Sequence, residues 1–170
     1  MPRYGETHQI ALAQAQALGQ VPGGDIAIVA LGRLGSREMS ASSDLDLIFV
    51  YDAAPDAQES DGTKPLAPGQ YFGRLTQRTI NAVTAMMAEG PLYEVDMRLR
   101  PSGTKGPLAT SLVAFRQYHD ESAWTWERMA LVRARAVAGT GDLRGRVEDA
   151  IAAILGDPVD PVKLLRDAAD

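Results

Sequence analysis

The stretch LGRLGSREMSASSDLDLIFVYD, residues 31–52, decides the fold and holds the main candidate site. It ends in a short apolar run, residues 45–51, whose β-branched and aromatic content predicts a buried strand. Asp44 and Asp46 lie at the N-terminal end of this run. Because residues i and i+2 of a strand point to the same face, the two carboxyl groups are expected side by side.

Paired carboxylates repel each other, so one of them takes up a proton unless a cation lies between them. An apolar strand has no other reason to carry such a pair, and a bound divalent cation resolves the conflict. The chain has no cysteine and only His8 and His119, so carboxylates must supply the ligands, which favours Mg²⁺ or Mn²⁺. The alternative is a pair of surface charges at a strand end, which is the usual explanation of an isolated D-x-D.

The segment before the pair is rich in glycine and serine. A second apolar run, IAIVAL at 26–31, predicts a strand, and Gly32, Gly35, Ser36 and Ser43 follow it. Glycine lets the backbone approach a phosphate closely, and serine hydroxyls add hydrogen-bond donors. The same composition is also that of a flexible loop.

A third carboxylate is offered by Asp96 within LYEVDMRL, residues 92–99, whose alternation predicts another strand. If this strand pairs beside residues 45–51, Asp96 completes a three-carboxylate site. Arg98, Arg100 and Lys105 follow it and suit a triphosphate. The alternative is an exposed face on which these cations balance Glu94 and Asp96.

The rest of the chain is predicted mainly helical. Helices are expected over 6–18 and 69–89, a mobile proline-rich loop over 52–68, and only helices from Thr110 onward, with caps at Thr110 or Ser111 and at Asp142. Core packing is favoured for Trp124 and Trp126. These elements predict an α+β fold with a small mixed sheet and flanking helices. We divide it into a core at 1–110 and, at 111–170, the start of a longer helical extension.

Composition excludes several classes of protein. The 170 residues are 45% hydrophobic and 23% charged, as in ordinary globular domains. A net charge of −5 argues against nucleic-acid binding through a broad basic surface. No apolar run approaches the ~20 residues of a membrane span, and no signal peptide is recognisable, so a cytoplasmic location is expected.

The pattern G-x-x-G-S…S-S-D-L-D, at Gly32, Gly35 and Ser36 and then at residues 42–46, resembles the signature of polymerase-β-like nucleotidyltransferases. Residues 31–52, 93–111 (YEVDMRLRPSGTKGPLATS) and 123–139 (AWTWERMALVRARAVAG) resemble the glutamine synthetase adenylyltransferase branch of that superfamily. The three matches occur in the same order as in that branch and span most of residues 26–145. Ser36 stands where the family often has glycine.

The resemblance implies an enzyme with two nucleotidyltransferase domains, of which this chain is one. One domain transfers AMP from ATP to a tyrosine of glutamine synthetase, and the other removes it by phosphorolysis. The strings RLRPSG and AWTWE…ALVRAR look more like the adenylylating copy. By carry-over, Asp44, Asp46 and Asp96 hold Mg²⁺, and Gly35, Ser36 and Ser43 hold phosphates. A nitrogen-signalling regulatory protein is the further partner implied for the full-length enzyme.

Three alternatives remain open from sequence. The chain could be the deadenylylating copy, or a fragment that binds nucleotide or partner without turnover. A D-x-D phosphatase is disfavoured, because its nucleophilic aspartate follows a strand, whereas Asp44 and Asp46 precede the apolar run.

Overall fold

A five-stranded mixed sheet carries the candidate site. The computed structural model describes residues 17–40, 43–87, 90–91, 93–158 and 167. The strands of this sheet are β1 (Asp25–Ala30), β2 (Leu45–Asp52), β5 (Val95–Asp96), β6 (Ala109–Ser111) and β7 (Arg135–Ala138). The order is β5-β2-β1-β7, with β6 also beside β2. β1 is antiparallel to β2 and β7, whereas β5 and β6 are parallel to β2.

Helices surround the sheet. They are α1 (Gly32–Gly35), α2 (Pro68–Val83), α3 (Leu112–Glu121), α4 (Thr125–Ala130) and α5 (Gly141–Gly156), with 3-10 turns at Gly103–Lys105 and Leu131–Arg133. β3 (Met86–Met87) and β4 (Gly90–Pro91) form a separate antiparallel pair. Among the helices of the described residues, none is long and apolar enough to cross a membrane.

The two central strands are buried on both faces. On one face Val29 and Ile48 pack with Phe115 of α3 and with the apolar side of α5. On the other face Phe49 packs in a cluster with Phe72 of α2. A strand covered on both sides reads as a continuous apolar run, which is why the sequence predicts β1 and β2 within one residue of their observed ends. The predicted α+β class with a small mixed sheet is confirmed.

The prediction of a helix over 69–89 is too long, because α2 ends at Val83. The backbone N–H and hydroxyl of Thr84 both donate to the Ile80 carbonyl and close the last turn. The chain then enters the β3–β4 pair instead of continuing the helix. Apolar spacing alone gives no sign of this change, since the same residues fit the helical period.

The predicted strand 92–99 is also too long: among its described residues, 93–99, the strand covers Val95–Asp96. The Asp96 carboxylate accepts a bond from the backbone N–H of Arg98 at 2.8 Å, and Arg100 N–H donates to the Met97 carbonyl at 3.2 Å. Such a side-chain bond two residues ahead is the usual way an aspartate starts a turn. Arg98 therefore lies in a turn beyond the strand, where its side chain forms an ion pair with Asp96.

The prediction of helices alone after Thr110 is wrong, because β6 and β7 are strands of the main sheet. Arginine and alanine in β7 have good helix propensity, but pairing with β1 overrides it. The sheet and its core thus include residues on both sides of the predicted boundary at 110.

Details of the helices also differ from prediction. Ser111 caps α3 by accepting from Ala114 N–H at 3.2 Å, as expected, but Thr140 rather than Asp142 caps α5. Trp124 and Trp126 are 41% and 52% exposed, so the expectation that both pack in the core is wrong. The expected N-terminal helix lies outside the described residues except for 17–18.

Candidate functional site

Two of the three predicted carboxylates lie opposite each other on neighbouring strands. β2 and β5 are parallel, with Leu45 beside Val95 and Asp46 beside Asp96. Adjacent strands are about 4.8 Å apart, and paired residues project to the same face. Asp44, two residues before Asp46, is exposed at the start of β2. The pairing on which the three-carboxylate prediction depends is therefore present.

The acidic groups act on one another. Partial burial raises the pKa of Asp46 above its ordinary value, and the negative charges of Asp96 and then Asp44 raise it further. Arg98 opposes this effect only in part. At the N-terminal end of β2, the carboxylate oxygens of Asp44, Asp46 and Asp96 are thus held near one another at an electrostatic cost.

Arg98 binds Asp96. The guanidinium Nε donates to Oδ2 at 2.7 Å, and Nη2 lies 2.5 Å from the same oxygen. Together with the Arg98 N–H on Oδ1, these bonds lower the pKa of the Asp96 carboxyl, with the side-chain bond as the main cause and burial working against it. The Arg98 side chain is itself 79% exposed. It can therefore leave the carboxylate without disturbing the core.

The donor set suits a hard divalent cation. Carboxylate oxygens are the preferred ligands of Mg²⁺ and Mn²⁺, and a cation removes the repulsion that raises the pKa of Asp46. Within the part of the chain that the structure describes, no three acidic or histidine side chains are gathered closely enough to enclose an ion. In this arrangement both oxygens of Asp96 are engaged by Arg98.

Gly32 lies against the Asp46 carboxyl group. Its φ is +50°, in the left-handed region, and a Cβ built on it would be 2.2 Å from Asp46 Oδ2. The neighbouring Leu31 N–H donates to the Asp46 carbonyl at 2.9 Å. Glycine at 32 is thus explained by its contact with a candidate metal ligand.

The other predicted loop residues have contacts of their own. Gly35 is buried, and its Cβ would lie 1.9 Å from the Arg133 carbonyl oxygen. The Ser36 hydroxyl donates to the Gly32 carbonyl and to Glu38, both at 3.1 Å. Gly35 is therefore needed for packing, and binding of phosphate by either residue stays a prediction.

Ser43 is buried directly before Asp44. Its hydroxyl oxygen accepts from Ser40 N–H at 3.0 Å and shares a 2.8 Å hydrogen bond with the Ser40 hydroxyl. These bonds fix the chain as it enters β2. Ser42 lies outside the described residues.

Of the two predicted cations beyond Arg98, one is buried and one is exposed. The Arg100 guanidinium donates to the carbonyls of Met97, Thr104 and Gly106 at 2.8, 3.2 and 3.4 Å. These contacts give Arg100 a structural role in folding the loop that follows β5. Lys105 ends the 3-10 turn of that loop and is exposed. Phosphate binding by Arg100 and Lys105 stays a prediction.

Arg135 contacts the candidate site and is missed by the sequence reasoning. Its guanidinium donates to the carbonyls of Leu34 at 3.1 Å and Gly35 at 3.3 Å. The sequence pattern predicts a helix around Arg135, and a helix there gives no reason to place this residue beside residues 32–36. The available signal is the charged residue at the start of the short run RAVA, residues 135–138, which Gly139 follows.

Comparison with known proteins identifies relatives of this chain. A sequence model of the glutamate-ammonia ligase adenylyltransferase family matches residues 6–150. The chain is 55% identical over 152 residues to a bifunctional glutamine synthetase adenylyltransferase/adenylyl-removing enzyme of Mesorhizobium japonicum, covering 89% of this chain and 15% of the relative. The corresponding enzyme of Brucella suis is also 55% identical over 152 residues, covering 89% of this chain and 16% of the relative.

A third relative with the same name, from Rhodopseudomonas palustris, is 48% identical over 167 residues, covering 98% of this chain and 17% of the relative. The chain thus spans about one sixth of the length of the curated relatives it matches. Since the family match covers most of the chain, this protein belongs to the glutamate-ammonia ligase adenylyltransferase family.

Proposed function

We propose that this chain is a nucleotidyltransferase domain that transfers AMP from ATP to a tyrosine of glutamine synthetase. Asp44, Asp46 and Asp96 hold the Mg²⁺ or Mn²⁺ that the reaction needs. The observation that carries the proposal is the pairing of Asp46 with Asp96 across β2 and β5, with Gly32 against the same carboxylate. The names of the relatives supply the acceptor protein.

A bound divalent ion would stabilise charge on the attacking and departing oxygens. The acceptor tyrosine has an ordinary pKa near 10, so its hydroxyl must lose a proton as it attacks. We assign the acceptance of that proton to Asp96. The Arg98 side chain must first leave the Asp96 carboxylate. The new bond joins the tyrosine oxygen to the α-phosphorus, and the bond to the bridging oxygen breaks to release pyrophosphate. The exposed Arg98 and Lys105 are suited to hold the phosphates, together with residues 32–36 and Ser43.

The second candidate function is the removal of AMP from glutamine synthetase by phosphorolysis. It is favoured by the name of the relatives, which covers both an adenylyltransferase and an adenylyl-removing activity. In that reaction inorganic phosphate attacks the same phosphorus, ADP forms, and the tyrosine oxygen leaves with a proton. The same three carboxylates serve either direction.

The deciding experiment has two arms, each read by the mass of glutamine synthetase. In one arm the chain receives unmodified synthetase, ATP and Mg²⁺, and we expect a gain of one AMP. In the other it receives adenylylated synthetase and phosphate, and loss of AMP would assign the removing activity. Asp44→Asn and Asp46→Asn should abolish the reaction in a folded chain, and normal turnover by either variant would refute the site.

A chain that is inactive in both arms yet binds ATP only with Mg²⁺ would be a nucleotide-binding fragment. We further propose that the full-length enzyme works in the cytoplasm, where its substrates occur. A nitrogen-signalling regulatory protein is its proposed controlling partner.

A further inference from the structure

Arg135 links the edge of the sheet to α1. It is the first residue of β7 and pairs with Ala30 of β1. Its half-buried side chain reaches back to donate to the carbonyls of Leu34 at 3.1 Å and Gly35 at 3.3 Å. A cation at the last carbonyls of a helix is favourable because the carbonyl ends carry partial negative charge.

The backbone beside Arg135 completes this contact. The carbonyl oxygen of Arg133 lies where a Cβ of Gly35 would be, at 1.9 Å, so α1 rests directly on the turn that leads into β7. α1 is four residues long, and one turn of helix does not persist alone because nucleation is unfavourable. Its conformation therefore depends on residues 133–135.

The first residue of α1 lies at the proposed catalytic site. Gly32 packs against the Asp46 carboxyl group, and the Ser36 hydroxyl bonds back to the Gly32 carbonyl. Any change in the placement of α1 therefore moves the backbone that contacts Asp46. The Arg135 guanidinium reaches this helix at its far end, where it donates to the Leu34 and Gly35 carbonyls.

We propose that Arg135 is a positioning residue for nucleotide binding, acting by holding residues 32–36 against Asp46. The inference rests on the proposed AMP transfer. Without the guanidinium, α1 is ordered in only a fraction of molecules, and nucleotide must select that fraction. The apparent affinity for ATP then falls, while molecules that have bound ATP still react.

The experiment uses Arg135→Met, which keeps the aliphatic stem, and Arg135→Lys, which keeps one charged donor. We expect Arg135→Met to raise the KM for ATP about tenfold with kcat within about threefold, if the ordered fraction falls to about one tenth. Amide exchange at Gly35 and Ser36, whose N–H groups donate to the Leu31 and Gly32 carbonyls, should accelerate toward the rate of an unprotected backbone, because about nine tenths of the molecules then lack ordered α1. Arg135→Lys should restore part of both.

The matched control is Arg146→Met. Arg146 pairs with Asp52, at the opposite end of β2 from Asp46, and with Asp142. The Arg146→Met variant should leave the KM for ATP and the amide hydrogen exchange of residues 35–36 unchanged. If Arg135→Met does not fold, Arg135→Lys decides: a raised KM with retained kcat supports the proposal, and a wild-type KM overturns it.

The two proposals fail separately. If the wild-type chain transfers AMP but Arg135→Met keeps wild-type KM and exchange, the role of Arg135 is refuted and the proposed function stands. If the wild-type chain transfers no AMP, the proposed function is refuted. The exchange of Gly35 and Ser36 and the binding of ATP with Mn²⁺ then decide whether Arg135 positions the loop.

Discussion

Gly32→Ala tests whether the contact between α1 and β2 serves catalysis. At φ +50° alanine adopts a left-handed conformation that costs about 1–2 kcal/mol relative to glycine. The added methyl would lie 2.2 Å from Asp46 Oδ2, so the carboxyl group must move by about 1 Å to reach an ordinary contact. The atom that must move is the end of a side chain, so the fold can adjust.

Two effects of different size follow. The stability loss of about 1–2 kcal/mol lowers the Tm by about 2–8 °C in a chain of this size. If Asp46 binds the metal as proposed, a displacement of about 1 Å in its carboxyl group reduces kcat by about 100-fold. AMP transfer should therefore fall far more than the folded fraction at the assay temperature.

The assay combines thermal unfolding with AMP transfer to glutamine synthetase at saturating ATP. Gly145→Ala is the control, because Gly145 lies within α5 and its Cβ meets open space, so alanine should stabilise the chain by about 0.5–1 kcal/mol. Gly35→Ala should instead act mainly by lowering the Tm, since the added Cβ would overlap the backbone oxygens of Arg133 and Ala30. Wild-type kcat in folded Gly32→Ala would refute the reasoning.

Three further outcomes are expected. Asp46→Asn should raise the Tm of the metal-free chain at pH 7, because the raised pKa of Asp46 means that its ionised carboxyl destabilises the fold. The gain in Tm should shrink as the pH falls, since the carboxyl group is then protonated in the wild-type chain as well. Arg100→Ala should lower the Tm by about 6–12 °C, because loss of its buried carbonyl bonds costs about 3 kcal/mol. Ser111→Ala should cost about 1 kcal/mol of unfolding free energy by removing the α3 cap.

For each of these three variants, one result would contradict the expectation. Asp46→Asn with a pH-independent Tm difference would contradict the electrostatic account. Arg98→Ala is the counterpart of Arg100→Ala: the ion pair of Arg98 is exposed and screened by solvent, so its loss should lower the Tm far less, and equal Tm losses in the two variants would be inconsistent with the structure. Unfolding of Ser111→Ala at the wild-type temperature would show that the cap contributes nothing.

The parts of the fold that sequence predicted well are those where one local signal is enough. β1 and β2 are continuous apolar runs, and burial on both faces requires that pattern. Ser111 caps a helix through a contact three residues away. Asp44 and Asp46 could be found because charges at the start of an apolar strand need an explanation.

The parts that sequence missed depend on contacts between distant residues. β7 is a strand because β1 offers a free edge, although its own arginine and alanine residues fit a helix. The role of Gly32 depends on Asp46, and that of Gly35 on the Arg133 carbonyl, neither of which spacing can show. The structural role of Arg100 is likewise hidden in the sequence, because its carbonyl partners appear only once the loop after β5 has folded.

The pairing of β1 with β7 also bears on how the chain is made. The paired residues are roughly 100 positions apart in sequence, so this edge of the sheet cannot close while the ribosome is still adding the residues between them. During that interval β1 has an open hydrogen-bonding edge in a nascent polypeptide. Slow emergence of residues 135–138 would prolong this exposure and chaperone binding would shorten it, so both would influence how much folded protein a cell obtains.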